Sequence, residues 1–348
     1  MTLKQLLPVS LFFLTLLQSL GSFAQNIKHE KVQVRFLLPP ATPLREDATR
    51  YRIVIDINSL PFGYSREGLI SELKYYGKLY GEKYQLVESS ADIEINVRID
   101  RFIAETPRID TRNVTTEKSD KTKVTTTVYT GYTLVAVPMF VRIRDLREDR
   151  IVFEDYVNNS NQLTDIKTEG HRTSKDANDH LQHEVRIAHD RFLKNNKGAL
   201  ATLMQQRFSF YPSVYDWAIN YVETSKKGNY DDVVAAANAT KSILDSLTDK
   251  TVSISPSVED KMSKVIEQWE SILKQSDVAD RKARIDKKVT LAILENLAHC
   301  NYFIHRFRYA QKYLNQARQI QKDPWQYNLE KRIADMKSRL DANRVDYQ

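Results

Sequence analysis

The sequence predicts an α+β protein with an antiparallel sheet and covering helices first, followed by an all-α domain of helical hairpins. Three observations predict it. Apolar residues alternate with polar ones through most of 30–160, they recur at helical spacing after about 177, and the residues from 212 to 345 carry helix-turn-helix punctuation. At 348 residues, 41% hydrophobic and 28% charged, the chain has an ordinary globular composition and more length than one core usually organises, so two domains are expected.

Residues 1–24 read as a secretory signal peptide. Lys4 precedes an apolar run from Leu6 to Leu17, and Ser22 and Ala24 supply the small side chains of a cleavage site near Ala24. Gln18, Ser19 and Gly21 interrupt the run before it reaches the roughly 20 apolar residues that span a bilayer. With no cysteine beside the cleavage point, lipid attachment there is excluded. The mature chain is expected to be exported, to the periplasm or beyond the cell, without an anchor.

The first domain is expected over 25–205. Val32, Val34 and Phe36 alternate with polar residues, as do Ile53, Ile55 and Ile57. Residues 93–99 are the clearest strand, with Ile93, Ile95, Val97 and Ile99 on one face and Glu94, Asn96 and Arg98 on the other. Ser65 caps a short helix that Gly77 and Gly81 end. Residues 104–130 are rich in Thr, Lys, Arg and Asp and read as a projecting arm, because they lack the apolar side chains of a core. A hairpin follows over 132–153, then a polar hinge at about 160–176. Leu181, Val185, Ala188 and Phe192 mark one amphipathic helix and Leu200, Leu203 and Met204 a second after Gly198.

The second domain is expected over 212–345 and reads as helix from Tyr215 to about Ala342, with breaks near 227–229, 249–257, 276–282, 305–306 and 323–325. Leu294, Leu297, Ala298 and Tyr302 lie at helical spacing; after a short break, Phe307, Ala310, Leu314 and Ala317 do so again, with Pro324 beyond. Trp217, then Gly228 and Tyr230 in a turn, start a similar but less regular stretch. This plan, at a length of about 34 residues, resembles the tetratricopeptide repeat. The resemblance covers about a third of the chain and implies a concave helical groove that grips a protein partner, with these residues other than Pro324 packing the repeats; it implies no reaction. The first domain has a weaker likeness, in pattern only, to α/β domains of bacterial outer-membrane assembly and secretion factors.

Other chemistry leaves little linear trace. Net charge is +7, but basic and acidic residues are interleaved, so nucleic acid is not an expected partner. Among seven histidines the densest group is His180, His183 and His189; His180 and His183 share a helix face with Asp176 one turn before and are weak metal candidates, but no further ligand stands at workable spacing, so no metal is expected there. The nine glycines form no phosphate-binding loop, and no small-molecule substrate or cofactor is expected. Cys300, the single cysteine, sits in an apolar helical pattern and reads as core. The expected function is therefore a non-enzymatic cell-envelope scaffold or adaptor that binds protein partners, with peripheral association with the outer membrane left open. Two alternatives remain: a secretion or assembly component that oligomerises through its β-domain, and a secreted hydrolase whose site is assembled from scattered residues.

Overall fold

The computed structural model describes residues 26–60, 63–224, 227–247 and 250–348; the expected signal peptide lies outside them. The mixed α+β class is observed. The domain boundaries differ from those expected, because one compact unit joins the described part of Met1–Pro39 to Pro212–Gln348 and the other is Pro40–Tyr211. The second unit is thus an insertion into the first, and neither 25–205 nor 212–345 is a unit by itself.

The cause is the pairing of β1 (Lys28–Leu38) with a strand in a stretch expected to be helical. Residues Tyr211–Tyr221 form that strand, β11, and Tyr215, Trp217 and Ile219 are buried at a period of two. Trp217 is therefore a strand residue and not the first aromatic of a repeat. Its spacing to neighbouring apolar residues fits both periods over so short a window.

In the inserted unit, β2 (Arg50–Ile57), β3 (Gln85–Leu86), β4 (Ile93–Ile99), β8 (Met139–Asp145) and β9 (Arg150–Tyr156) form one sheet in the order β3-β2-β4-β8-β9. It is mixed, not wholly antiparallel as expected. Helix α1 (Arg66–Tyr76) lies between β2 and β4 in sequence and returns the chain, so β4 runs parallel to β2 but antiparallel to β8. Ser65 Oγ accepts from Gly68 N and caps α1 as predicted. Leu69 and Leu73 of α1 are fully buried on the apolar sheet face with Ile95, Val97 and Val141, each such side chain contributing about 1.5–3 kcal/mol.

The expected arm at 104–130 is mostly strand. Its strands belong to β5 (Ile103–Ala104), β6 (Arg108–Glu117) and β7 (Lys123–Ala136); β6 and β7 form a long antiparallel hairpin from Arg108 opposite Tyr132 to Glu117 opposite Lys123. No core is needed there, because β-branched Thr and Val favour strands and their hydroxyls bond across the ladder, as between Thr115 and Thr125 at 3.0 Å. The expected hinge contains β10 (Thr164–Lys167), which pairs with β7. Helix α2 (Ser174–Leu203) then runs unbroken through Gly198, whose cost of about 1 kcal/mol is offset by burial of Leu193 and Leu200.

In the other unit, β11 is followed by α3 (Asp231–Leu244), α4 (Pro256–Leu273), α5 (Lys287–Phe303), α6 (Phe307–Ile320) and α7 (Pro324–Ala342). Ser255, Asp286 and Asp323 cap α4, α5 and α7, the last with a full capping box to Gln326. α5 and α6 make a helical hairpin. Leu294, Leu297, Ala298 and Tyr302 on α5 and Phe307, Ala310, Leu314 and Ala317 on α6 are all buried. Gly228 holds a φ of +152° in the turn before α3, and Tyr230, fully buried, donates its hydroxyl to Arg284 O at 2.6 Å. No helix among the described residues is long and apolar enough to cross a membrane.

Candidate functional site

The β1–β11 ribbon builds one wall of a cleft in the helical unit. Side-chain pairs run in opposite order along the strands, His29 with Asn220 at 2.6 Å and Gln33 with Asp216 at 3.0 Å, so the ribbon is antiparallel. The opposite wall comes from α5 and α7. The cleft encloses about 1010 Å³ and is lined by Tyr215, Trp217, Glu295, His299 and Trp325, with Lys31, Lys331 and Arg332.

His299 organises the floor. Its ring stacks on Trp217 with centroids 4.7 Å apart, its Nδ1 lies 2.9 Å from Glu295 O, and its Nε2 lies 3.1 Å from Tyr215 Oη. A carbonyl only accepts, so Nδ1 carries the proton and Nε2 accepts from the tyrosine hydroxyl. Burial pushes the imidazole down to about 4, which keeps it neutral. Both nitrogens are occupied, and neither is left to take a proton from a bound molecule.

Glu295 sits one turn before His299. Burial pushes its carboxyl up to about 7, although Oε2 accepts from Asn220 Nδ2 at 2.9 Å. Asn296, fully buried beside it, stitches the strand to the helix: its Oδ1 accepts from Asn220 N at 3.0 Å and its Nδ2 donates to Asn220 O at 2.6 Å. Trp217 Nε1 is buried and has no acceptor among the described residues.

The weak metal site is not assembled. His180 Nδ1 lies 2.9 Å from Nε2 of His171, a residue that its spacing did not single out, while His183 and Asp176 are exposed. Among the described residues no group of three His, Cys, Asp or Glu side chains is placed to hold a metal. Cys300 is fully buried and its thiol is pushed up to about 12, a core position without nucleophilic character.

Sequence reasoning found Trp217 for the wrong element and missed Glu295, His299, Trp325 and the three cations. Glu295 and His299 do lie four apart on a helix, but nothing in the sequence links them to β1. No family model and no curated protein matches the chain. Among solved structures, a minor lipoprotein from Acinetobacter baumannii is similar over 44% of this chain and 94% of that chain, at 15% identity and a TM-score of 0.16, too low a score to bear on fold or function.

Proposed function

We propose that the chain is an exported, non-enzymatic cell-envelope adaptor that holds a protein partner in the cleft of its helical unit. The observation that supports this reading is the cleft itself: about 1010 Å³, with aromatic side chains on its walls and an imidazole whose nitrogens are both engaged within the fold. The signal-peptide pattern at 1–24 supports export, with cleavage near Ala24. The tetratricopeptide-like plan of α5 and α6 supports protein binding over reaction chemistry.

A photoreactive amino acid placed at Asn328, an exposed cleft residue on α7, tests the reading in the native host. The expected outcome is one dominant cross-linked partner, absent when the probe is moved to exposed Tyr75 of the inserted unit. The β6–β7 hairpin favours one other reading, oligomerisation through the β-domain, since β6 is paired on only one edge among the described residues. Self-cross-linking from Thr111 on β6 with none from Asn328 would replace the cleft reading by that one.

A further inference from the structure

We propose that the cleft takes an extended, carboxylate-rich peptide segment that pairs its backbone with the open edge of β11 at Asp216 and Ala218 and presents its acidic side chains to Lys31, Lys331 and Arg332. This rests on the reading of the helical unit as a partner-binding module and specifies what the partner offers.

The edge follows from strand geometry. In a strand, the N–H and C=O of one residue point to the same side and those of the next residue to the other. Asn220 gives both groups to Asn296, so they point away from β1. The close side-chain pairs His29–Asn220 and Gln33–Asp216 keep one register along the ribbon, as non-hydrogen-bonded pairs do. Asp216 and Ala218 therefore turn their backbone groups to the same outer edge as Asn220. Both line the cleft, and among the described residues no bond from their backbone to another element is present. Asn296 satisfies with a side-chain amide, at Asn220, what a peptide backbone would satisfy at the next two positions.

The charge of the occupant follows from the rim. Lys31, Lys331 and Arg332 are exposed, line the same cleft from β1 and α7, and make no ion pair among the described residues. Elsewhere Arg52 holds Glu94, Arg142 holds Glu154 and Arg318 holds Glu330. Arg332 instead lies over the Tyr215 ring at 4.2 Å and Lys331 over Tyr327 at 4.4 Å. Two carboxyl groups also line the cleft. Asp216 accepts from Gln33, and Glu295 is held by Asn220 in surroundings that favour its neutral form, so the three cations prevail.

Fluorescence anisotropy with the full mature chain tests this, using labelled peptides that alternate Glu with Val, their Gln and Lys counterparts, and a Glu-Val peptide N-methylated at every second residue. We expect the Glu peptide to bind at least about ten-fold tighter than the Gln and Lys peptides, to weaken by a similar factor on raising salt, and to lose binding on N-methylation. Combined Lys31→Glu, Lys331→Glu and Arg332→Glu changes, all at exposed positions, should abolish the preference while leaving the circular dichroism spectrum unchanged. Equal binding of Glu and Gln peptides, or indifference to N-methylation, overturns the proposal; so does tighter binding of a heparin oligosaccharide, which would make the cleft a site for anionic glycans. Asn328→Trp, which fills the cleft without altering charge, separates the two levels. If it removes peptide binding that the charge reversals leave intact, the partner-binding reading stands and the acidic specificity falls; if it changes nothing, both fall.

Discussion

Glu295 and His299 lie one helical turn apart and titrate in opposite senses. Burial holds the imidazoles of His299 and His305 at about 4 against an ordinary 6.5, so their contribution to stability is in place above pH 6.5 and is lost as pH falls towards 4. The Glu295 carboxyl is raised from 4.5 to about 7, so its contribution is fully present below pH 4.5 and is lost as pH rises through 7. Replacing it by Gln keeps an amide oxygen for Asn220 and removes the ionisation. The Glu295→Gln chain should match the native one at pH 4.5 and exceed it at pH 8 by on the order of 2–3 kcal/mol, read from urea melts. An equal difference at both pH values would show that Glu295 is not raised. None of this was legible beforehand, because a carboxyl acquires such a shift from what covers it, and here the neighbours come from β11, about 75 residues away.

Among the elements, legibility followed the length of the periodic signal. Ile93, Ile95, Val97 and Ile99 hold a period of two long enough to allow no other assignment, and the α5–α6 hairpin was readable because its small residues recur at helical spacing on both helices. Trp217 was not assignable since its apolar neighbours are too few to decide a period, and the strands inside the 104–130 arm gave no period since they are held by ladder bonds and threonines, with little apolar burial to read. Close helix contact at Ala310, fully buried, predicts that Ala310→Trp lowers stability by about 1–3 kcal/mol or more, seen as a lower circular dichroism midpoint. Two glycines make a contrasting pair. A Cβ at Gly131 would stand 2.9 Å from Ala177 O and 3.0 Å from Leu181 Cβ, so Gly131→Ala should destabilise by about 1–3 kcal/mol. At Gly198, inside α2, a Cβ meets nothing within 4 Å, and Gly198→Ala should stabilise by about 0.5–1 kcal/mol. Melting all three variants together checks the packing of α2 and α6 independently of any ligand.

At the scale of the molecule, the feature hardest to read was the return of β1 to a domain that resumes at Pro212, because local patterning carries no information about which strand a distant strand will join. The consequence is a test by dissection. Residues 40–211 are continuous and contain a complete apolar core, so this fragment should fold alone with a cooperative melt. A fragment of 212–348 should not. It would lose β1, whose Val32, Val34 and Leu38 are buried at 4%, 0% and 9% exposure, at about 1.5–3 kcal/mol each, together with the bond from Arg339 Nη1 to Pro39 O at 2.9 Å. Against a total stability of about 5–15 kcal/mol, that loss leaves β11 unpaired, Trp217 exposed and the cleft without one wall. Adding a synthetic peptide of residues 26–39 should restore the helical signal and the blue-shifted emission of Trp217, and with them the affinity for acidic peptides. A 212–348 fragment that melts cooperatively and binds those peptides without the added strand would show that the helical hairpins alone form the binding unit.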